Sequence, residues 1–209
     1  IPIIEPLKQS LGGNQITKVS GIINGTTNYI LSRMDKEGVD YGDILKDAQE
    51  LGYAESDPTA DVEGADAADK IAILSGLAFG GAVNRANIPT TGINLLEAID
   101  VNYARKLGYG IKLLAISEKG KTQSSIDMSQ PLSIWVEPTL VPEDNPLAGV
   151  NGVNNAILVE GIPIGKVMFF GPGAGSGPTA SAVVADILNI AGIQLMGEGK
   201  TFNLDPLLS

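Results

Sequence analysis

Apolar and polar positions alternate through residues 16–24 (ITKVSGIIN), and the apolar ones are mostly β-branched, so a strand is expected there, ending at Asn24–Gly25. The period then lengthens. In residues 26–38 (TTNYILSRMDKEG), Tyr29, Ile30 and Met34 share one face of a helix that Thr26 or Thr27 can cap and Gly38 can close. Residues 40–52 form a second amphipathic pattern, with Asp40 or Tyr41 at its start and Gly52 at its end. Residues 53–64 read as a loop carrying Pro58 and several acids, and 65–80 and 94–108 as further helices, with a short one over 2–11. Past residue 109 the pattern reverts to short apolar runs between turn residues, which predicts strands over 110–120, 124–141, 155–161 and 164–171. The last signal, 177–192, is a helix with Pro178 in its first turn and Gly192 as its stop. Val183, Val184, Ile187, Leu188 and Ile190 surround its axis, and a helix without a polar face calls for burial on several sides. Helices first and strands later predict an α+β fold, a mixed β-sheet covered by helices. Residues 1–192 are expected to be one domain and 193–209 a linker or tail.

Composition narrows the chemistry. The 209 residues are 44% hydrophobic, enough for a sizeable core. A net charge of −10, with only 14 lysines and arginines thinly spread, gives no basic patch, so no nucleic-acid partner is expected. Cysteine and histidine are absent, which excludes disulfides, thiolate or imidazole metal sites and a Ser-His-Asp triad within the chain. Acid–base chemistry falls to carboxylates, lysines or tyrosines. The lack of cysteine fits a reducing compartment, and a cytoplasmic location is expected. No run of about 18 apolar residues occurs, so no membrane span is expected, and there is no leader pattern. The start at Ile1 reads as a start inside a larger protein.

Three stretches carry candidate chemistry. From Glu50 to Asp69 stand Glu50, Glu55, Asp57, Asp61, Glu63, Asp66 and Asp69, with no cation until Lys70. Asp66 and Lys70 are spaced i,i+4, which by itself describes a solvated surface pair worth a few tenths of a kcal/mol. However, Lys70 shares a helix face with Ile73 and Leu74, so its stem is expected to be packed. A partly buried lysine beside carboxylates can transfer protons, and the carboxylates suit a ligand bearing an ammonium group, such as a small amino acid. The segment NGTTNYI (24–30) runs from strand through a tight turn into a helix, where backbone N–H groups and hydroxyls can either cap the helix or hold an anion. The segment GPGAGSGPTASAVV (171–184) suggests a nucleotide loop. It lacks the G-x-G-x-x-G spacing because residue 176 is Ser, and no βαβ unit precedes it, so it reads as a glycine turn where backbone approaches a ligand or another domain. Trp135 is assigned to packing, and VEPTLVPEDNP to an edge strand or loop.

Together these pieces resemble homoserine dehydrogenase. They are IPIIEPLK, GIINGTTNYIL, ELGYAESDPTADVEGADAADKIAIL, GYGIKLLAI, VEPTLVPEDNPLAGVNGVNNAILVEG and GPGAGSGPTASAVVADIL. They follow the family's order and cover nearly all of residues 1–191. The acid loop with its helix and the glycine–PTASAVV segment are the most specific.

The resemblance implies an NADPH- or NADH-dependent oxidoreductase that interconverts L-aspartate 4-semialdehyde and L-homoserine, on the route to threonine, methionine and isoleucine. It implies that this chain is the substrate-binding and dimerisation domain of a homodimer, the nucleotide-binding domain lying before residue 1. The helix over 178–191 would return to pack on that domain. Carried over by motif, Lys70 is the proton donor to the carbonyl oxygen, and Asp66 binds the reacting end and sets the charge of Lys70. Glu55 would bind the substrate ammonium, with Asp61 supporting it and Tyr53 beside it. Gly25 and Thr26 would lie close to substrate or nicotinamide, and Gly52 and Gly173 where backbone passes the cofactor. The family holds a structural sodium ion through carbonyls around a VGGGIP segment, of which only that of Ile1 falls in this chain. The chain departs from the family at Asp69 and Asn145, where histidine is frequent. Two other readings stay open, a non-catalytic amino-acid-binding or dimerisation module of the same fold, and a related dehydrogenase with another amino-bearing substrate.

Overall fold

The computed structural model describes residues 1–120 and 131–197, and these fall into two compact units that divide between Gly173 and Ala174. The first unit is built on a five-stranded sheet in the order β3-β2-β1-β4-β5. Its strands are β1 (Gln15–Ile22), β2 (Tyr109–Lys119), β3 (Leu132–Pro142), β4 (Asn154–Ile162) and β5 (Gly165–Pro172). Helices α1 (Gly25–Glu37), α2 (Tyr41–Glu50), α3 (Thr59–Val62), α4 (Ala65–Phe79) and α5 (Ala98–Lys106) lie between β1 and β2 in sequence.

The α+β expectation holds, but the sheet is not mixed. Each of its four strand pairings is antiparallel, and the parallel pairing among the described residues is an isolated bridge between Thr90 and Val136. For β4 and β5 the cause is local: they are joined by the two-residue turn Pro163–Ile164, and a connection that short permits only an antiparallel return. The expected strand 124–141 begins at Leu132 among the described residues, and its first part lies outside them. The short helix expected over 2–11 is a π-helical turn at Pro6–Ser10.

The period-2 pattern divides the sheet into two faces. On one, Val19, Ile111, Leu113, Ala115, Ile157 and Val159 join Ile30, Leu31 and Met34 of α1 and Ala67, Ala68, Ile71 and Leu74 of α4 in the main core. On the other, Ile22, Leu114, Ile116, Ala156 and Leu158 meet Val141, Leu147 and Val150, with Trp135 packed alongside as expected. Burying each large aliphatic side chain contributes about 1.5–3 kcal/mol before entropic costs. Strand β1 is central, and the chain leaves its end directly into α1. The site described below is built at that exit.

The second unit holds α6 (Ser176–Gly197). It runs five residues past the stop expected at Gly192, because an isolated interior glycine costs a helix only about 1 kcal/mol. Its apolar residues Val183, Ile187 and Ile190 are 53%, 59% and 58% exposed. By length and hydropathy alone, Ser176–Leu195 is long and apolar enough to cross a membrane (mean hydropathy 1.3), which a search for unbroken apolar runs misses. Asp186 stands in that stretch, and an acid at mid-bilayer costs about 2.5–3.5 kcal/mol.

Candidate active site

Where β1 ends, Asn24 adopts extended backbone angles and caps α1, its side-chain Oδ1 accepting from Thr27 N–H at 2.9 Å and from the Thr27 hydroxyl at 3.0 Å. Asparagine is among the preferred N-caps because its oxygen satisfies a helix N–H that has no backbone partner. With the oxygen end committed, the NH2 end faces the acid loop. Asn24 Nδ2 donates to Asp61 Oδ1 at 2.6 Å and to Asp66 Oδ2 at 2.9 Å.

The loop that sequence alone leaves unstructured contains the single turn α3, which sets Asp61, and Gly64, which turns the chain into α4. Gly64 has φ of 84° and an added Cβ would meet Thr90 Cγ2 at 3.0 Å, so both conformation and space call for glycine. Asp66 then stands in the first turn of α4, where a carboxylate complements the helix dipole. Lys70 follows one turn later, its Nζ 2.7 Å from Asp66 Oδ2 and donating to the Ile23 carbonyl at 3.1 Å. An ammonium has three N–H bonds; two are engaged here and the third is free. The Lys70 side chain is 48% exposed and that of Asp66 30%, so Lys70 is less buried than its place before an apolar run suggests.

The other acids are sorted by the fold. Asp57 accepts from the backbone and hydroxyl of Thr59, which holds its carboxyl below the usual range, and it serves the start of α3. Asp69 points away from Lys70 and lies 3.0 Å from Arg85 Nε. Glu55 is exposed, and its contact is through its backbone carbonyl, which accepts from Gln49 Nε2 at 3.0 Å.

The remaining predicted residues fall into two groups. Thr26 donates its hydroxyl to the Tyr53 carbonyl at 2.8 Å, and the Tyr53 ring packs on Tyr29 at 4.9 Å, so the loop bearing Glu55 is tied to the first turn of α1. Gly25 faces the Val153 carbonyl, which an added Cβ would approach to 3.0 Å. Gly52, with φ of 77°, ends the turn after α2. Gly173 lies against the buried amide of Asn155, whose Nδ2 an added Cβ would overlap. The Ile1 carbonyl accepts from Ile3 N–H at 3.0 Å, and no cluster of metal-binding side chains occurs among the described residues. Beside Lys70 a cleft of about 250 Å³ is lined by Ile1, Ile23, Ile73, Leu74, Ile157 and Gly173. The floor is apolar, and Lys70 and Asn155 are the polar residues of its lining.

Three polar residues escaped the sequence reading. The sequence places Asn24 at the end of the strand and the cap at Thr26 or Thr27; Asn24 holds the cap itself, and its second task involves residues 37 and 42 positions away. Asn155 left no local signal. Lys112, 4% exposed on β2, donates to the Val150 carbonyl at 2.5 Å and to Asn151 Oδ1 at 3.0 Å, with Asn28 Oδ1 at 3.4 Å. Burial lowers its pKa to about 8, the charge of Asp35 opposing that shift. Lysine in a strand pattern reads as a solvent-facing position, and nothing in GYGIKLLAI marks it as interior.

A family model described as homoserine dehydrogenase matches residues 2–188. A homoserine dehydrogenase of Synechocystis sp. is 57% identical over 209 residues, which are all of this chain and 47% of that protein. One from Mycobacterium tuberculosis is 50% identical over 197 residues, 94% of this chain and 44% of that protein. The chain thus spans about half the length of the curated relatives it matches. Among solved structures, a homoserine dehydrogenase from Thiobacillus denitrificans superposes with a TM-score of 0.87 at 46% identity, covering 94% of this chain and 44% of that one. A hyperthermophilic archaeal homoserine dehydrogenase mutant in complex with NADPH superposes with a TM-score of 0.71 at 31% identity, covering 90% of this chain and 51% of that one.

Proposed function

We propose that the chain, which belongs to the homoserine dehydrogenase family, provides the substrate-binding and proton-transferring half of an NAD(P)-linked interconversion of L-homoserine and L-aspartate 4-semialdehyde. The observation that carries this reading is Lys70 held by Asp66 and the Ile23 carbonyl, with its third N–H free at the rim of an apolar cleft.

When bound, NAD(P) supplies or takes the hydride. Everything else falls to side chains of this chain. In the reducing direction Lys70 Nζ gives a proton to the substrate's carbonyl oxygen, which becomes the hydroxyl of homoserine. In the oxidising direction the same nitrogen takes that proton back. A positioned acid–base group of this kind contributes about 10²–10⁴-fold to rate. Asp66 keeps the ammonium in place and faces the reacting end of the substrate, and Asp61 completes the polar wall. Glu55 binds the substrate ammonium, with Tyr53 and Thr26 fixing its loop. Gly25 lies close to substrate or nicotinamide at the start of α1, and Gly52 and Gly173 lie where backbone passes the cofactor. The cleft beside Lys70 fits a nicotinamide face.

The same reading places the reaction on the route to threonine, methionine and isoleucine in the cytoplasm, in a homodimer. Met168 and Phe170 of β5, 38% and 57% exposed, support a partner on that side of the sheet. Helix α6 would supply apolar surface to a nucleotide-binding domain. A non-catalytic module of the same fold is disfavoured by the Asp61, Asp66 and Lys70 network, which such a module would have no need to keep.

The test is NAD(P)+ reduction by the protein expressed from its complete gene, with L-homoserine and with 4-hydroxybutyrate, the same primary alcohol without the ammonium. Turnover of homoserine and little of 4-hydroxybutyrate is expected. No turnover of homoserine would contradict the reading, and equal turnover of both would remove Glu55 from its role.

A further inference from the structure

Asn24 is joined to more of this site than any residue assigned a role above. Its Oδ1 is fixed by Thr27 N–H, a donor that cannot be anything else, so the orientation of the amide follows from the helix start and not from choice. Both hydrogens of Nδ2 are then spent on carboxylates, one on Asp61 from α3 and one on Asp66 from α4. The side chain is 5% exposed and all its hydrogen-bonding capacity toward these partners is used. The adjoining Ile23 carbonyl takes Lys70 Nζ, while Asp66 Oδ2 is shared between Lys70 and Asn24. Two consecutive residues at the end of β1 therefore hold both members of the Asp66–Lys70 pair.

Two carboxylates converging on one nitrogen repel each other. A neutral group with two donors satisfies both without adding charge, and only an amide of this length can do that while also capping α1. Serine and aspartate keep the cap and lose the double donor.

We infer that Asn24 is a positioning residue of the reaction, spacing Asp61 and Asp66 so that Asp66 holds Lys70 with its free N–H toward substrate. This rests on the function proposed above.

The experiment uses the protein expressed from its complete gene, comparing wild type, Lys70→Ala, Asn24→Ser and Asn24→Asp. Each is assayed for homoserine oxidation across pH and for thermal unfolding. Misplacing a catalytic group by about 1 Å can cost about 100-fold in rate, so Asn24→Ser is expected to lose on the order of 30- to 100-fold in kcat. Its melting temperature should fall by only a few degrees, with KM for NAD(P)+ unchanged. Asn24→Asp places a third carboxylate against Asp61, Asp66 and Lys70. Relative to wild type at the same pH, its activity should recover in part toward low pH, where a shared proton restores one donor. Full activity of Asn24→Ser would overturn the inference. So would a loss in both variants that follows the melting temperature and leaves the pH profile of wild type unchanged, since that is the mark of a cap alone. If wild type itself does not oxidise homoserine, the functional reading fails and this inference falls with it. An active wild type and inactive Lys70→Ala beside a fully active Asn24→Ser would sink the inference alone.

Discussion

Lys70 Nζ lies 2.7 Å from Asp66 Oδ2, one turn back on the same helix, and 3.1 Å from the carbonyl of Ile23 at the end of the central strand. An i,i+4 pair on a free helix would be a surface contact of small value. The Ile23 carbonyl, one residue past β1, changes that, because it ties the ammonium to a second part of the chain. Asp66→Asn preserves shape and removes the counter-charge. It is expected to lower kcat by about 10²-fold or more, with KM for NAD(P)+ little altered, as steady-state kinetics would show. A drop confined to KM would mean that Asp66 only binds.

Thr26 bonds the carbonyl of Tyr53 and so anchors the loop that carries Glu55. Thr26→Val keeps the volume and removes that bond. The expected outcome is a rise of several-fold in KM for homoserine, corresponding to about 1 kcal/mol, with kcat changed much less. An unchanged KM would show that the loop holds its place without Thr26.

Gly173 has no room for a side chain beside the Asn155 amide. Gly173→Ala must displace that amide or move the backbone, and overpacking of this kind costs about 1–3 kcal/mol. Denaturant unfolding of the 209-residue chain should register that loss. An alanine variant as stable as wild type would mean that the Asn155 amide moves aside freely.

Lys112 gives the chain a pH dependence of its own. Burial brings its folded pKa to about 8, against an ordinary 10.5. Below about pH 8 the lysine is charged in both states and the folded state bears the whole cost of burying it. Between 8 and 10.5 the unfolded state binds more protons, so stability rises with pH through that window and levels off above it. The size is about 3 kcal/mol at 1.36 kcal/mol per pKa unit. Burial raises the Tyr41 pKa, which acts in the opposite direction. The clean quantity is therefore the difference in unfolding free energy between wild type and Lys112→Met, in which Tyr41 cancels. That difference should move in favour of wild type from pH 8 to 10.5. A flat difference would place Lys112 in a more solvated setting.

Much of this was legible in the sequence, and the reason is the range of the interactions involved. Strand β1, helices α1, α2 and α4 and the β4–β5 hairpin are written in local periodicity and turn residues, and their bounds fall within a few residues of expectation. Pairing direction was less legible: an alternating apolar pattern fixes which face is buried and not whether the neighbour runs parallel, so the all-antiparallel sheet was missed. The site divides the same way. Asp66 and Lys70 are one turn apart and could be found by spacing, while the family motif raised them above a surface pair. Asn24 and Lys112 could not be ranked, because the partners that give them meaning are separated from them by 37 and 38 or more residues. Helix α6 showed its apolar circumference plainly in the sequence, though its length past Gly192 did not follow from a stop signal.

The most direct test of the central claim is the single-turnover rate of homoserine oxidation by the protein expressed from its complete gene, wild type against Lys70→Ala. A loss of about 10²–10⁴-fold, with homoserine still bound and the fold intact, is the predicted result for a proton-transferring lysine. A Lys70→Ala enzyme that oxidises homoserine at nearly the wild-type rate would return Asp66 and Lys70 to a surface ion pair and move the chemistry elsewhere.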